Sequence, residues 1–213
     1  MSYNTYLFDF DYTLCDSSEG IIMSYQHVLH SHGYHDVSDD TIRLTIGKTL
    51  VDSFSIMTGV TDKATLQQWH EEYVRFADTC MTQHTYFFPE TKDVLLQLKE
   101  KGTHLGIIST KYAYRITRFM EQHFPTDFFD IVVGIESVKE PKPSPEGLLL
   151  AVRHVGEPLN RVLYLGDNVI DAQTARDARV DFCGILHGPT SKQDLEPYPH
   201  VALLPDLCGI LSL

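Results

Sequence analysis

Five short apolar runs, separated by segments of helical or turn character, constrain this chain more than any other feature. They are residues 4–10, 104–109, 130–135, 161–165 and 182–186. Each is too short for a typical helix and rich in Leu, Ile, Val or Phe, so each reads as a buried strand. Strands that alternate with helices predict a parallel, doubly wound α/β sheet with helices on both faces. In such sheets ligands bind outside the carboxyl ends of the strands. The residues that follow the apolar runs are therefore where chemistry is expected.

One long segment interrupts the alternation. From Ser17 the apolar positions Ile21, Ile22, Tyr25, Val28 and Leu29 recur at helical spacing up to Gly33. A second helix is predicted from Ser38 or Asp39 to Ile46 and a third over residues 49–58. A fourth, capped by Thr61 or Asp62, carries Leu66, Trp69, Tyr73, Phe76 and Cys80 on one face. Residues 17–84 thus form an all-helical insertion within a core domain of residues 1–16 and 85–213. After it, Pro89 is placed to start a helix with Val94, Leu95 and Leu98 inward and Gly102 as its stop. Residues 200–213 read as a short edge strand and a closing helix.

Composition narrows the class. A chain of 213 residues can bury roughly 70% of its unfolded surface and needs no covalent staples. The four cysteines (Cys15, Cys80, Cys183, Cys208) lack C-x-x-C spacing, which argues against a disulfide framework or a zinc ribbon and for a reducing cytoplasm. No basic segment followed by an apolar core opens the chain, and no run approaches the ~18 apolar residues of a membrane span. A soluble cytoplasmic protein is expected. The net charge of −12, with no Lys/Arg stripe, disfavours a nucleic-acid partner.

Three strand ends and one segment between runs carry polar clusters. The first run ends in Asp9 and Asp11, whose i, i+2 spacing turns both carboxylates toward one small volume that calls for a cation. Taken alone, D-x-D-x-T serves equally well as a turn or a helix cap. A calcium loop is excluded, because Leu14 stands where the turn glycine belongs and Gly20 where the bidentate Glu belongs. The second run ends in Ser109-Thr110-Lys111, a hydroxyl and backbone amides at a helix start. Between later runs lies Glu140-Pro141-Lys142-Pro143, two prolines stiffening a backbone that holds one lysine. The fourth run ends in Gly166-Asp167-Asn168-Val169-Ile170-Asp171, where an N-cap and a first-turn carboxylate are the alternative reading.

Together, in this order, these pieces resemble the signature set of the haloacid dehalogenase-like (HAD) superfamily: D-x-D-x-T, then S/T, then K, then G-D-x-x-x-D. The helical insertion resembles that family's C1 cap, so the likeness spans nearly the whole chain. Ile46-Gly47-Lys48-Thr49-Leu50 brings it nearest to the phosphoglycolate phosphatase-like group.

The resemblance implies a Mg²⁺-dependent phosphatase acting on a small phosphomonoester. Asp9 is then the nucleophile that forms an aspartyl-phosphate, and Asp11 the general acid and base. Mg²⁺ is held by the Asp9 carboxylate, the Asp11 carbonyl and Asp167, with Asp171 binding directly or through water. Ser109 and the Thr110 amide bind phosphoryl oxygens, and Lys142 neutralises Asp9 and the phosphoryl group. Thr110 stands where many relatives have Asn. An acid at position 11 separates this chain from dehalogenases, while a β-phosphoglucomutase-like sugar-phosphate mutase remains an alternative. A receiver-type phospho-acceptor module is another, which the insertion argues against.

Three features carry less weight. Gly47-Lys48-Thr49 looks like the end of a P-loop, but Ile42 stands where its first glycine belongs. Lys48 is instead a candidate for the far end of a substrate, with Arg43 a weaker one. His27, His30, His32 and His35 straddle a helix end and read as solvated or dipole-capping rather than metal-binding.

Overall fold

The computed structural model describes residues 3–213 and divides into two compact units, Met1–Asp16 with Phe87–Leu213, and Ser17–Tyr86. The chain enters the first unit as β1 (Thr5–Phe8) and leaves it after β2 (Cys15–Asp16). The second unit holds α1 (Ser18–Ser31), α2 (Asp39–Arg43), α3 (Leu50–Thr58) and α4 (Lys63–Cys80). The chain returns through β3 (Tyr86–Phe87), which pairs with β2 in a two-stranded ribbon. Then come α5 (Thr91–Glu100), β4 (His104–Ile108), α6 (Ala113–Met120), β5 (Ile131–Val133), α7 (Glu146–Val155) and β6 (Val162–Gly166). The chain closes with α8 (Val169–Ala178), β7 (Asp181–Ile185), α9 (Lys192–Leu195), β8 (Ala202–Leu204) and a 3₁₀ turn over Leu207–Ser212.

Six strands form one parallel sheet in the order β5-β4-β1-β6-β7-β8. The chain winds outward from β1 through β4 to β5, then crosses back to β6 and winds outward the other way. The doubly wound α/β class expected from the alternating pattern is the one observed, and its switch point lies beside β1.

Period-two alternation explains why this strand is central. Tyr6, Phe8 and Phe10 join one apolar layer with Val94, Leu95 and Leu98 of α5 and Ile116, Phe119 and Met120 of α6. Leu7 joins the opposite layer with Leu148, Ala151 and Val152 of α7 and Ala172 and Ala175 of α8. A one-residue slip of β1 would exchange the two sets and turn its acids away from the sheet edge.

Inside the second unit, α1, α3 and α4 supply the aromatic core. Tyr25 meets Phe54 at 4.9 Å and Tyr73 at 4.7 Å between ring centroids, and Trp69 meets Phe54 at 5.5 Å. Its caps follow the expected chemistry, with Ser38, Thr49 and Asp62 side chains accepting from Thr41, Asp52 and Thr65 amides. α2 stops at Arg43 rather than Ile46, because residues 44–47 turn and Gly47 adopts φ 97°. Phe76 is only half-buried; Ala77 takes the inward position on α4. The expected closing helix is a 3₁₀ turn, capped by the Asp206 side chain on the Cys208 amide. No helix among the described residues is long and apolar enough to cross a membrane.

Candidate active site

Strand register assembles the site. Phe8 lies level with Ile107 of β4 and Leu165 of β6, so Asp9, Ser109 and Asp167 emerge from three adjacent strands at one edge of the sheet. The Asp9 amide donates to the Leu165 carbonyl at 2.8 Å, extending the ladder one residue past β1 and fixing where the carboxylate begins.

Asp9, Asp167 and Asp171 each place a carboxylate oxygen within 4.8 Å of the others, and all three are buried. Among the described residues this is the one group of three or more His, Cys, Asp or Glu arranged to hold a metal. Lys142 reaches into it, with Nζ 2.8 Å from Asp9 Oδ1 and 2.7 Å from Asp171 Oδ1. The loop bearing Lys142 is tied down by Glu146, whose carboxylate accepts from the Lys139 and Glu140 amides at 3.1 and 3.0 Å.

Asp171 is the hub. Its Oδ1 also accepts from Tyr164 OH at 2.8 Å, while Oδ2 accepts from the Asn168 amide at 3.1 Å in a capping box that starts α8. Asn168, not Asp167, is the N-cap, which leaves the Asp167 carboxylate to the cluster. Gly166 is required here, because a Cβ at that position would collide with the Asp171 side chain.

Electrostatics explain what the cluster lacks. Burial raises the Asp9 carboxyl to about 7 despite the pull of Lys142, with Asp171 and Asp11 adding to the rise. Burial and the neighbouring Asp171 and Asp9 push Asp167 well above the usual carboxylate range. Burial alone would lower Lys142, but the Asp171 and Asp9 carboxylates outweigh it and hold the ammonium above its ordinary value. Three buried carboxylates face one buried ammonium, an imbalance that an oxygen-loving divalent cation corrects. The donor set fits Mg²⁺: Asp9 and Asp167 offer oxygens directly. Asp171, already engaged by Lys142, Tyr164 and Asn168, is suited to contact through water.

A second ion pair completes the edge. Lys111 Nζ lies 2.7 Å from Asp11 Oδ1, with the two side chains only 7% and 10% exposed. Ser109 is buried, and its Oγ accepts from the Lys111 amide at 3.1 Å. Thr110 lies between them, half-buried. Lys48 belongs to the other unit, in the turn before the Thr49 cap.

The four histidines fall into three separate contacts. His27 stacks on Phe76 at 4.1 Å, His30 packs on His35 at 5.2 Å, and His32 Nε2 meets Glu72 Oε2 at 2.7 Å.

Three contributors were not singled out in the sequence: Tyr164, Lys111 and Gly188. Tyr164 reads as one more apolar strand residue; only its spacing before Gly166-Asp167 could have marked it. Gly188 follows β7, and a Cβ there would collide with Asp167 Oδ2 and lie 3.1 Å from the Tyr12 Cβ. Its loop is held by His187, whose ring packs 3.8 Å from that of Phe88 and whose Nε2 meets Glu90 Oε1 at 3.1 Å. Gly188→Ala must therefore turn the Asp167 carboxylate. The expected result is a loss of Mg²⁺ affinity of about 10- to 100-fold, read by calorimetric titration, with little change in far-UV circular dichroism.

A family described as haloacid dehalogenase-like hydrolase matches residues 6–185. A crystal structure from Bacteroides fragilis, described as a haloacid dehalogenase-like hydrolase, is 47% identical, covers 98% of this chain and 100% of that one, and superposes with a TM-score of 0.96. Pyrophosphatase PpaX of Bacillus pumilus is 30% identical over 99% of this chain and 95% of its own length. Pyrophosphatase PpaX of Bacillus cereus is 28% identical over 100% and 98%.

Proposed function

This chain belongs to the haloacid dehalogenase-like hydrolase family, and on that premise we propose that it is a Mg²⁺-dependent phosphatase cleaving a small phosphate ester through an aspartyl-phosphate on Asp9. The observation that carries the reading is the buried trio Asp9, Asp167 and Asp171 with Lys142 Nζ 2.8 Å from Asp9.

In the first step an Asp9 carboxylate oxygen attacks phosphorus and the bond to the leaving oxygen breaks, while Asp11 gives that oxygen a proton. In the second step Asp11 takes a proton from a water that displaces Asp9 from phosphorus, releasing free phosphate and regenerating both acids. Lys142 keeps the nucleophile oriented and offsets charge on the phosphoryl oxygens. The Ser109 hydroxyl and the Thr110 amide bind those oxygens from the neighbouring strand end. A Mg²⁺ ion on Asp9, Asp167 and the Asp11 carbonyl, with Asp171 behind a water, would supply the remaining charge neutralisation at the phosphoryl group. Ser17–Tyr86 is the substrate-selecting insertion in this reading, with Lys48 its candidate contact to the substrate.

A second reading, cleavage of pyrophosphate, is favoured by the name carried by relatives that align over nearly their whole length. Both are tested by following phosphate release from a panel of small phosphomonoesters and pyrophosphate. Release that requires Mg²⁺ and stops on chelation is expected. A long-lived phosphoprotein without turnover would point instead to a phospho-acceptor module, and isomerisation of a sugar phosphate without net phosphate release to a mutase.

A further inference from the structure

Tyr164 reaches the acidic cluster from within β6. Its side chain is fully buried, yet its hydroxyl ends among charges. It donates to Asp171 Oδ1 at 2.8 Å and accepts from Lys142 Nζ at 3.2 Å. Lys142 Nζ itself lies 2.7 Å from that same Asp171 oxygen and 2.8 Å from Asp9 Oδ1. Phenol, ammonium and carboxylate thus close a triangle in which each touches the other two.

A buried phenol needs one acceptor, and a backbone carbonyl would serve. This one instead loads a carboxylate oxygen that is already engaged by an ammonium. A carboxylate oxygen offers about two lone-pair directions, and Lys142 and Tyr164 take both on Asp171 Oδ1. The other oxygen, Oδ2, accepts from the Asn168 amide at 3.1 Å and lies so close to β6 that a Cβ on Gly166 would stand 2.6 Å from it. Asp171 is therefore held beside Asp9 and Asp167, within the 4.8 Å that groups their oxygens, with Oδ1 already occupied. Removing the phenol hydroxyl vacates one direction on Oδ1. A buried carboxylate that loses a donor turns to the nearest positive charge, which in the loaded site is the metal ion.

The two common hard cations respond differently to such a change. Mg²⁺ is small, keeps several waters and tolerates a carboxylate held one water away. Ca²⁺ is larger, takes more oxygen ligands in looser geometry, and gains from each carboxylate that reaches it directly. We propose that Tyr164 is a positioning residue that keeps Asp171 out of direct contact with the metal and so tunes the cluster for Mg²⁺ over Ca²⁺. This rests on the metal site of the phosphatase reading and adds what sets its choice of ion.

The test is calorimetric titration of the whole chain with MgCl₂ and with CaCl₂, without substrate. In Tyr164→Phe the ratio of the Ca²⁺ Kd to the Mg²⁺ Kd is expected to fall by about 10-fold or more, the scale on which partners of metal ligands act. Asp171→Asn removes the carboxylate that the hydroxyl controls, so in that background Tyr164→Phe should move the ratio by less than about twofold. Tyr164→Met gives a second variant without the hydroxyl should Phe disturb the packing. If the variants leave the ratio unchanged, weaken both cations by the same factor, or shift the ratio as much without the Asp171 carboxylate as with it, the hydroxyl only fills the core and the proposal fails. Mg²⁺-dependent phosphate release by the wild type beside an unchanged ratio defeats this proposal and leaves the phosphatase reading standing. Failure of the wild type to bind either cation or to release phosphate defeats that reading, and this proposal with it.

Discussion

Asp9→Asn is expected to lower phosphate release by at least about 1000-fold while making the metal-free protein more resistant to heat. The amide keeps the size of the side chain and can still accept a hydrogen bond from Lys142, but its oxygen is too poor a nucleophile to bond to phosphorus. The gain in stability has a separate cause. Burial lifts the Asp9 carboxyl from 3.8 to about 7, so between those values the folded chain holds a proton that the unfolded chain has lost. Where the folded state binds more protons, stability falls as pH rises, and it levels off above the folded value. The Tm gap between Asp9→Asn and the wild type in chelator should therefore widen from pH 4 to 7 and then flatten. Saturating Mg²⁺ should narrow it, because a divalent cation favours the ionised carboxylate. A gap independent of pH would show that Asp9 is ionised in the fold without penalty.

Lys142→Met should be almost as damaging to turnover, and unlike Asp9→Asn it should destabilise. Its ammonium is the only positive group in contact with both Asp9 and Asp171 among the described residues, at 2.8 and 2.7 Å. Removing one partner of a buried pair strands the other charge, which costs about 3–5 kcal/mol. Tyr164 OH still donates to Asp171 Oδ1, so part of that carboxylate remains satisfied. Urea unfolding in chelator reads the loss directly. Mg²⁺ should recover part of it without restoring activity, since it replaces the missing charge on the carboxylates but not the lysine's contact with the phosphoryl group. Equal unfolding midpoints for variant and wild type in chelator would remove Lys142 from its place as counter-charge.

The opposite signs of the two stability effects follow from one imbalance: the cluster holds more negative than positive charge. Deleting an acid relieves the imbalance, and deleting the base deepens it.

The frame of this site was legible in the sequence because strand ends are punctuated. Asp9, Ser109 and Asp167 each terminate an apolar run, and parallel pairing then forces them to a common edge. Lys142 is legible only through the resemblance of the whole motif set to a known family, since a lone lysine between two prolines is usually a solvated loop charge. Tyr164 was not, because alternation assigns it an inward side chain like any other and says nothing of where a phenol oxygen ends. The sequence presents Lys111 only as backbone in an anion cradle, since a lysine after a strand is usually solvated and its low exposure is a tertiary fact. Gly188 could not be read at all: what it permits is the position of an atom on Asp167, 21 residues away in sequence. The start of α5 lies at Thr91, two residues past Pro89.

The ribbon of Cys15–Asp16 against Tyr86–Phe87 places the exit and re-entry of the chain side by side. Ends already held together make the entropy of closing whatever lies between them nearly indifferent to its length. Evolution can therefore graft, trim or exchange that entire segment as a cassette without refitting the strand edge where the carboxylates meet. Chemistry and selectivity can diversify in this architecture at independent rates.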